Sequence, residues 1–471
     1  MERNARRLRY RAIGAACRDL GIGDLLFAHH ANDQSETALI RMVHGYYGKG
    51  LAAMAAESRI PECEDMYGVS SSGTPRKTDE NSSGMLVEAG GVTIRRPLLN
   101  FSKDQLIATC EEAGVKWVED HTNKDPTLTL RNTVRHLNEN NKLPRALRHN
   151  RLLEMVQRVG RRKAYQEKAA DQRLAECTIK LNIPAGSAEC IIPDETRYKV
   201  NKGNADEAKV NLLRKLLLLV APTDHIQDSN LELASRDFLT KIPFQINTGG
   251  AAMIYEKWVE GGSRYLVHRN PPYSNDATTR VRLNVERQQN RTSSFSGGVE
   301  LRWSDWVLWD RRYWIRAGTF GHTGFGVNIR PLAPEDIAEL RNSKGEGAGV
   351  DKRLLQQRLA GAKANLRSTL PVMVQTKKDE SGKPKEHIIA LPTLQWSRPG
   401  WKAYTQRLIE SMAANKGRLP SRFLYEIHFK HVDDSLTKGF RPLDPVSHGY
   451  EPDEDEVDTS TESGSWIPDP R

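Results

Sequence analysis

Two carboxylates three residues apart, Asp33 and Glu36, follow two adjacent histidines, His29 and His30, that end the apolar run Leu25-Leu26-Phe27-Ala28. Two such carboxylates, with the histidines just upstream, can face a ligand pocket. They can also do no more than start a helix, with Asp33 as N-cap and Glu36 at the third position, worth about 1 kcal/mol. Neighbouring residues on a strand point to opposite faces, so His29 and His30 are not expected to bind one ion together. A second constellation lies in Arg131-Asn132-Thr133-Val134-Arg135-His136. On a helix Arg131 and Arg135 share a face one turn apart. Two guanidiniums so placed can grip phosphate oxygens bidentately, or can pair with Glu119 and Asp120 instead.

These groups need elements to hold them. The three-to-four spacing of Ala5, Leu8, Ala12, Ala15 and Ala16 predicts a helix over 4–20, with Gly21 as its stop. Residues 24–28 read as a short buried strand and 34–44 as the helix that follows. This strand–loop–helix would gather polar groups at a strand's carboxyl end, where open α/β sheets bind ligands. Residues 58–91 change to Ser, Gly, Pro and charge, and read as a surface insertion without fixed structure. A strand is expected at 92–99. Ser102-Lys103-Asp104-Gln105 then resembles a capping box opening a helix to about Ala113. Residues 131–168 read as largely helical, with eleven Lys or Arg against three acids. That density suggests a phosphate-contacting surface rather than a merely solvated face. A helix is expected at 206–220, and a β-rich stretch at 240–320 whose Trp303, Trp306, Trp309 and Trp314 read as core and edge packing. The tail beyond 445 holds eight acids and one base and reads as disordered.

Bulk composition narrows the classes. The chain has 471 residues, a net charge of +10 and a mean hydropathy of −0.62. Such a basic balance permits nucleic-acid binding without establishing it. Five cysteines without a Cys-x-x-Cys pair give no support to a zinc ribbon, an iron–sulfur site or a thioredoxin-like pair, and fit a reducing compartment. No run of about eighteen apolar residues appears, so no membrane span is expected.

Five blocks in order carry a resemblance. They are Ala5-Arg6-Arg7-Leu8-Arg9-Tyr10, Ala28 to Thr37 (with His29-His30 and Asp33-Gln34-Ser35-Glu36), Arg96-Pro97-Leu98-Leu99, Trp117-Val118-Glu119-Asp120 with Asn123, and Leu130-Arg131-Asn132-Thr133-Val134-Arg135-His136. Together they resemble the tRNA(Ile)-lysidine synthases, of the N-type ATP pyrophosphatase or PP-loop superfamily. A weaker echo of that family's C-terminal tRNA-binding domain runs from Ile329-Arg330-Pro331-Leu332 to Leu391-Pro392.

The resemblance implies an α/β fold: an incomplete PP-loop parallel-sheet domain followed by helical and α+β C-terminal regions. The corresponding organisation is 1–145 for the PP-loop part, 146–235 basic and helical, 236–325 β-rich, 326–445 tRNA-binding-like and 446–471 acidic tail. It implies ATP with Mg2+ as cofactors, a tRNA-Ile with a CAU anticodon and free L-lysine as substrates, and leaves a homodimer open. The reaction would adenylate the C2 oxygen of the wobble cytidine, after which the lysine amine displaces AMP. Asp33 and Glu36 would hold lysine or magnesium-bound groups, and Arg131 the activated intermediate or RNA. His29, His30, Asn32, Arg41, Arg96, Glu119, Asp120, Asn123, Asn132 and Arg135 would line the substrate side. Lys142, Arg145, Arg148, Arg161, Arg162 and Lys163 would meet tRNA. No metal ligands are assigned.

Two departures stand out. Asn32 replaces the first of two family aspartates. The family's Ser-Gly-Gly-x-Asp-Ser phosphate loop has no counterpart ahead of the Arg-Tyr helix, and Ser296-Gly297-Gly298-Val299-Glu300 lies in the wrong context. The reading is therefore of a truncated chain with impaired activity, whose remaining strands would expose edges and apolar faces. Alternatives are a non-catalytic tRNA-binding remnant and a 2-thiocytidine-type adenylating enzyme, which would typically use a cysteine pair that is absent here. The long insertion and acidic tail suggest a eukaryotic protein serving organellar tRNA, hence a mitochondrial location, with the cytoplasm as the alternative.

Overall fold

A computed structural model of the chain describes residues 2–77, 85–118, 125–140, 142–193, 205–240, 243–286, 301–320, 324–342, 352–360, 362, 364–378, 382–404, 423–433 and 441–442. Helix α1 (Glu2–Asp19) buries Tyr10, Gly14 and Cys17, a spacing of four and three that forms one stripe. The stripe differs from the alanine-rich face expected from sequence, and Leu8 is 69% exposed. The close approach decides the face. A Cβ at Gly14 would meet Val69 Cγ1 at 2.7 Å and Cys63 Sγ at 3.2 Å. Strand β1 (Asp24–Leu26) leads into α2 (Ala31–Val43). Strands β2 (Glu57–Arg59), β3 (Arg76–Lys77), β4 (Leu86–Val87) and β5 (Thr93–Arg95) follow. β5 pairs parallel with β1 and antiparallel with β2, giving the order β1-β5-β2 with β1 at the edge. Leu26 on that edge is 69% exposed.

The expected disordered insertion is folded over its described residues. Ile60, Cys63 and Val69 are buried with Tyr10 and Cys17 in one small core. Its apolar residues are too far apart to show a period, which is why composition alone suggested disorder. Polar residues there bond inward instead: Ser72 Oγ accepts from Gly68 N at 2.9 Å, and the Glu88 carboxylate accepts from Gly73 N at 2.8 Å.

Helix α3 (Lys103–Glu112) opens with the expected capping box, Ser102 accepting from Gln105 N and Gln105 Oε1 from Ser102 N. The basic stretch is not one helix. It divides into α4 (Leu130–Glu139) and α5 (His149–Glu176), separated by Pro144 and a single 3-10 turn at Arg145–Leu147. α2 packs against both.

Strands β6 (Thr178–Asn182) and β7 (Ser187–Ile192) precede α6 (Ala205–Leu218) and α7 (Ser229–Asp237). They join β8 (Gln245–Thr248), β9 (Ala251–Val259) and β10 (Gly262–Arg269) in an antiparallel sheet ordered β6-β7-β10-β9-β8. Leu212, Leu213, Leu216 and Leu217 of α6 are fully buried at the centre of the largest core, which accounts for the apolar run there. Among the described residues no helix is long and apolar enough to cross a membrane.

The remaining elements are β11 (Val281–Val285), β12 (Leu301–Trp303), β13 (Val307–Trp309), β14 (Tyr313–Phe320), β15 (Phe325–Pro331), α8 (Pro334–Asn342), α9 (Lys352–Ala360), β16 (Pro371–Lys378), β17 (Pro384–Leu391), β18 (Trp396–Ser397), β19 (Trp401–Ala403), β20 (Phe423–Phe429) and β21 (Arg441–Pro442). One sheet runs β11-β15-β16-β17-β18. Another runs β12-β14-β20-β4-β3-β21. Strand pairing therefore crosses the boundaries expected at 235/236 and 325/326. It also carries β3 and β4, from within 58–91, into a sheet of C-terminal strands.

A buried polar chain fastens that junction. Tyr67 Oη donates to Glu88 at 2.9 Å, and the His428 ring meets Glu88 at 2.5 Å and Glu426 at 3.0 Å. Arg316 Nε donates to Glu426 at 2.7 Å while lying over the Trp303 and Trp306 rings at 4.3 and 4.5 Å. The Trp306 ring stacks on Tyr67 with centroids 4.5 Å apart, and Trp309 is fully buried. Burial opposes charge on both titrating partners. The bonds from Glu426 and Glu88 outweigh it at His428 and raise its pKa; those from His428 and Arg316 outweigh it at Glu426 and lower its pKa. His428 thus adds stability that is complete below its ordinary 6.5 and is lost as pH rises through the folded value. Glu426 adds stability that is complete above its ordinary 4.5 and is lost as pH falls. The pair is expected to be most stabilising between those two values. Thermal unfolding across pH should show His428→Gln flattening the decline on the alkaline side. An unchanged alkaline slope would contradict this role.

Candidate active site

The site is built where α2 begins. The chain leaves β1 at Leu26, so His29 and His30 lie in the connection and not on the strand, and the alternation argument does not apply to them. His30 is the N-cap of α2, and Asp33 occupies the third helical position, where its carboxylate accepts from His30 N at 3.0 Å. The expected assignment of Asp33 as N-cap and Glu36 as its reciprocal partner is therefore shifted by a turn. Glu36 faces into the packing between α2 and α4.

Glu36 is 3% exposed, and Arg135 of α4 grips it from Nε at 2.9 Å and from Nη2 at 3.2 Å. A buried carboxylate needs such a partner, since an unpaired one costs several kcal/mol. Arg131 is placed differently. Its Nε lies 3.7 Å from Glu36, its Nη1 3.9 Å from Asp33 Oδ1, and its Nη2 donates to Thr37 Oγ1 at 3.2 Å, while the side chain stays 39% exposed. The two arginines share a face as expected. Arg135 is committed to Glu36, and Arg131 keeps an open side.

His29 completes this corner. Its ring packs on Phe27 with centroids 5.5 Å apart. Burial lowers its pKa, Asp33 opposes that, and the charges of Arg96 and Arg131 add to it. The ring is biased toward its neutral form, within reach of the charges of one carboxylate and two guanidiniums. Arg96 is itself anchored, donating to Ala55 O at 2.9 Å and Ser58 Oγ at 3.0 Å.

Other expected residues take framework roles. Asn32 Oδ1 accepts from Lys103 N at 2.9 Å, and Ala31 N donates to Phe101 O at 2.8 Å, so the starts of α2 and α3 are tied together. Arg41 lies away from this corner and braces the loop after α2, donating to Gly50 O at 2.6 Å and Ala53 O at 2.8 Å. Asn132 points back to Asp125 O at 2.8 Å. Glu119, Asp120 and Asn123 lie outside the described residues, as do Ser296 to Glu300 and the acidic tail. Sequence reading missed His149, whose Nδ1 meets Ser35 Oγ at 2.8 Å and whose pKa is lowered by burial. No local pattern marked it, because its partner is 114 residues away.

Of the expected tRNA contacts, Lys142, Arg145, Arg148 and Arg161 are exposed and form no ion pair among the described residues. Arg162 pairs with Glu207 at 2.6 Å and Lys163 with Glu167 at 3.8 Å. Arg330, in the C-terminal echo, is held between Asp336 at 2.6 Å and Glu386 at 2.8 Å and braces β15 to α8 and β17.

Magnesium finds few donors here. Both Glu36 oxygens face Arg135, and Asp33 Oδ2 serves a backbone N–H, so Asp33 Oδ1 is the carboxylate oxygen left at this corner. Among the described residues no three His, Cys, Asp or Glu side chains converge as a ligand cluster.

Residues 1–140 match the PP-loop domain family. The chain is 26% identical over 348 residues to a "Probable tRNA(Ile)-lysidine synthase" of Schizosaccharomyces pombe, covering 72% of this chain and 65% of that protein. The chain carries a PP-loop domain and is a homologue of the tRNA(Ile)-lysidine synthases. Bacterial relatives of that name align with less of it. The Bradyrhizobium sp. protein is 34% identical over 125 residues, 26% of this chain and 27% of its own length. The Vibrio parahaemolyticus protein is 35% identical over 133 residues, 28% of this chain and 23% of its own length. The chain thus spans just under two thirds of the fission-yeast relative and about a quarter of these bacterial ones.

The tie through Asn32 makes a direct prediction for this homologue. Asn32→Ala leaves the Lys103 N–H at the start of α3 without its acceptor and should cost about 1 kcal/mol. Asn32→Asp keeps an acceptor and adds favourable charge at a helix N-terminus, so its loss should stay within about 0.5 kcal/mol. Urea denaturation measures both, and equal losses would contradict a bonding role for Asn32.

Proposed function

We propose that this chain is an ATP-dependent tRNA-modifying enzyme and that its reaction is lysidine formation on an isoleucine tRNA. The observation that carries the reading is the division of labour at α4. Arg135 holds the buried Glu36, which leaves Arg131 half-open beside Asp33 Oδ1 and a His29 biased toward its neutral form. Similarity to named lysidine synthases supports the substrate class.

The reaction has two steps. The cytidine C2 oxygen attacks the α-phosphorus of ATP and pyrophosphate leaves; the lysine amine then attacks C2 and AMP leaves. Negative charge grows on phosphate oxygens in the first step, and Arg131 is the cation here with an open side to meet it. Asp33 Oδ1 would face the lysine ammonium, or magnesium carried in on the ATP phosphates; that ion supplies charge neutralisation for the departing pyrophosphate. His29, in its uncharged form beside the arginines, can accept a proton from the attacking amine. Lys142, Arg145, Arg148 and Arg161 form the backbone-contacting surface.

The test is incorporation of labelled lysine into a CAU-anticodon tRNA-Ile with ATP, alongside the salt dependence of tRNA binding. Arg131→Ala should lower kcat/KM by about a hundredfold, the scale of a lost transition-state cation, while leaving stability within about 1 kcal/mol. Each of Arg145→Gln and Arg148→Gln should reduce the slope of log affinity against log salt by about 1. Salt-sensitive tRNA binding without ATP binding or lysine incorporation would instead support a binding protein and contradict the enzyme.

A further inference from the structure

Lys430 follows β20 and is 9% exposed, the one buried lysine among the described residues. Its Nζ donates to Ala221 O at 2.5 Å, three residues past the end of α6, where the helix dipole favours a cation. That contact uses one of three ammonium protons. Lys430 forms no ion pair among the described residues, yet a buried charge needs one.

Lys430 is one of the residues lining a cavity of about 460 Å³, large enough for a small ligand. Leu218, Leu219 and Val432 supply apolar wall, and the charged groups on its lining are Arg59, Lys215, Asp224, Lys430 and Asp433, with His431 beside them. Lys215 is already satisfied, lying 2.6 Å from Asp171 and 3.0 Å from Asp433. Arg59, on β2, is exposed and makes no ion pair among the described residues. On the lining, with Lys215 and Asp433 paired, Arg59 and Lys430 are then set against Asp224, an excess of one positive charge. Burial is the dominant influence on Lys430 and brings its pKa down to about 8; Asp224 and Asp310 oppose this, while Arg312 and Arg59 add to it. The acids in reach thus leave the ammonium under-compensated.

We infer that this cavity is an oxyanion site, in which the Lys430 ammonium and the Arg59 guanidinium together take a phosphate group. The site joins three parts of the chain: Arg59 from the PP-loop module, the end of α6, and the strand end after β20. It is separate from the corner around Asp33 and does not depend on the lysidine reaction. The phosphate can belong to a small free ligand or to an RNA backbone, since the two groups recognise the same oxygens.

Lysine reactivity reads the site in the full chain. Timed acetylation with acetic anhydride, followed by peptide mass spectrometry, should find Lys430 titrating near pH 8. Inorganic phosphate should slow its acetylation at least about tenfold by holding the amine protonated and bonded, leaving exposed lysines unchanged. Arg59→Gln, on an exposed position that does not threaten folding, should remove most of that protection. Protection by tRNA at concentrations far below those of phosphate would assign the site to a backbone phosphate. Protection by phosphate but not tRNA would assign it to a small phosphorylated ligand. Phosphate that fails to protect Lys430, or protects it equally in Arg59→Gln, overturns the inference.

Discussion

The geometry of the candidate site depends on one buried carboxylate. Glu36 sits on α2 with 3% exposure, so its charge must be met by protein and not by water. Arg135 meets it with two hydrogen bonds, which fixes α4 against α2 and sets the phase of the α4 helix. With that phase fixed, Arg131 must emerge one turn earlier on the same face, beside Asp33 and His29. The open cation is thus a consequence of the closed one. Two similar arginines on one helix do different work because Arg135 is hydrogen-bonded twice to Glu36, while Arg131 stays 39% exposed at longer range from Glu36 and Asp33.

A second constraint acts from the far end of the chain. The residues between β2 and β5 pack on α1 and also supply β3 and β4 to a sheet built from C-terminal strands. Glu88, accepting from Tyr67 and Gly73 and meeting His428, lies where these two packings meet. The PP-loop module and the C-terminal sheet therefore share strands and a polar chain. The cavity at Lys430 belongs to the same junction, since Arg59 reaches it from β2.

The local features were legible in sequence and the long-range ones were not. The capping box at Ser102, the strand–loop–helix around His29 and the shared face of Arg131 and Arg135 all follow from spacings of three or four residues, which a helix converts directly into proximity. The partner of Arg135 was not legible, because it lies 99 residues away; the acids nearest in sequence, Glu119 and Asp120, looked equally suitable. The fold of 58–91 was hidden for a related reason. Its buried residues are spread thinly among polar ones, and what they bury against is α1 and a strand beyond residue 420. Asn32 looked like a lost charge and proved to be a hydrogen-bond acceptor for α3, a role that sequence cannot express.

Arg135 is the principal structural partner of Glu36, with two hydrogen bonds, while Arg131 stands 3.7 Å away as the lesser one. Double-mutant cycles on unfolding free energy test this ranking most directly, combining Glu36→Gln with Arg135→Gln and, separately, with Arg131→Gln. A coupling of about 2–3 kcal/mol for the Arg135 cycle and less than about 1 kcal/mol for the Arg131 cycle is the predicted result. A coupling to Arg131 equal to or greater than that to Arg135 would contradict the account.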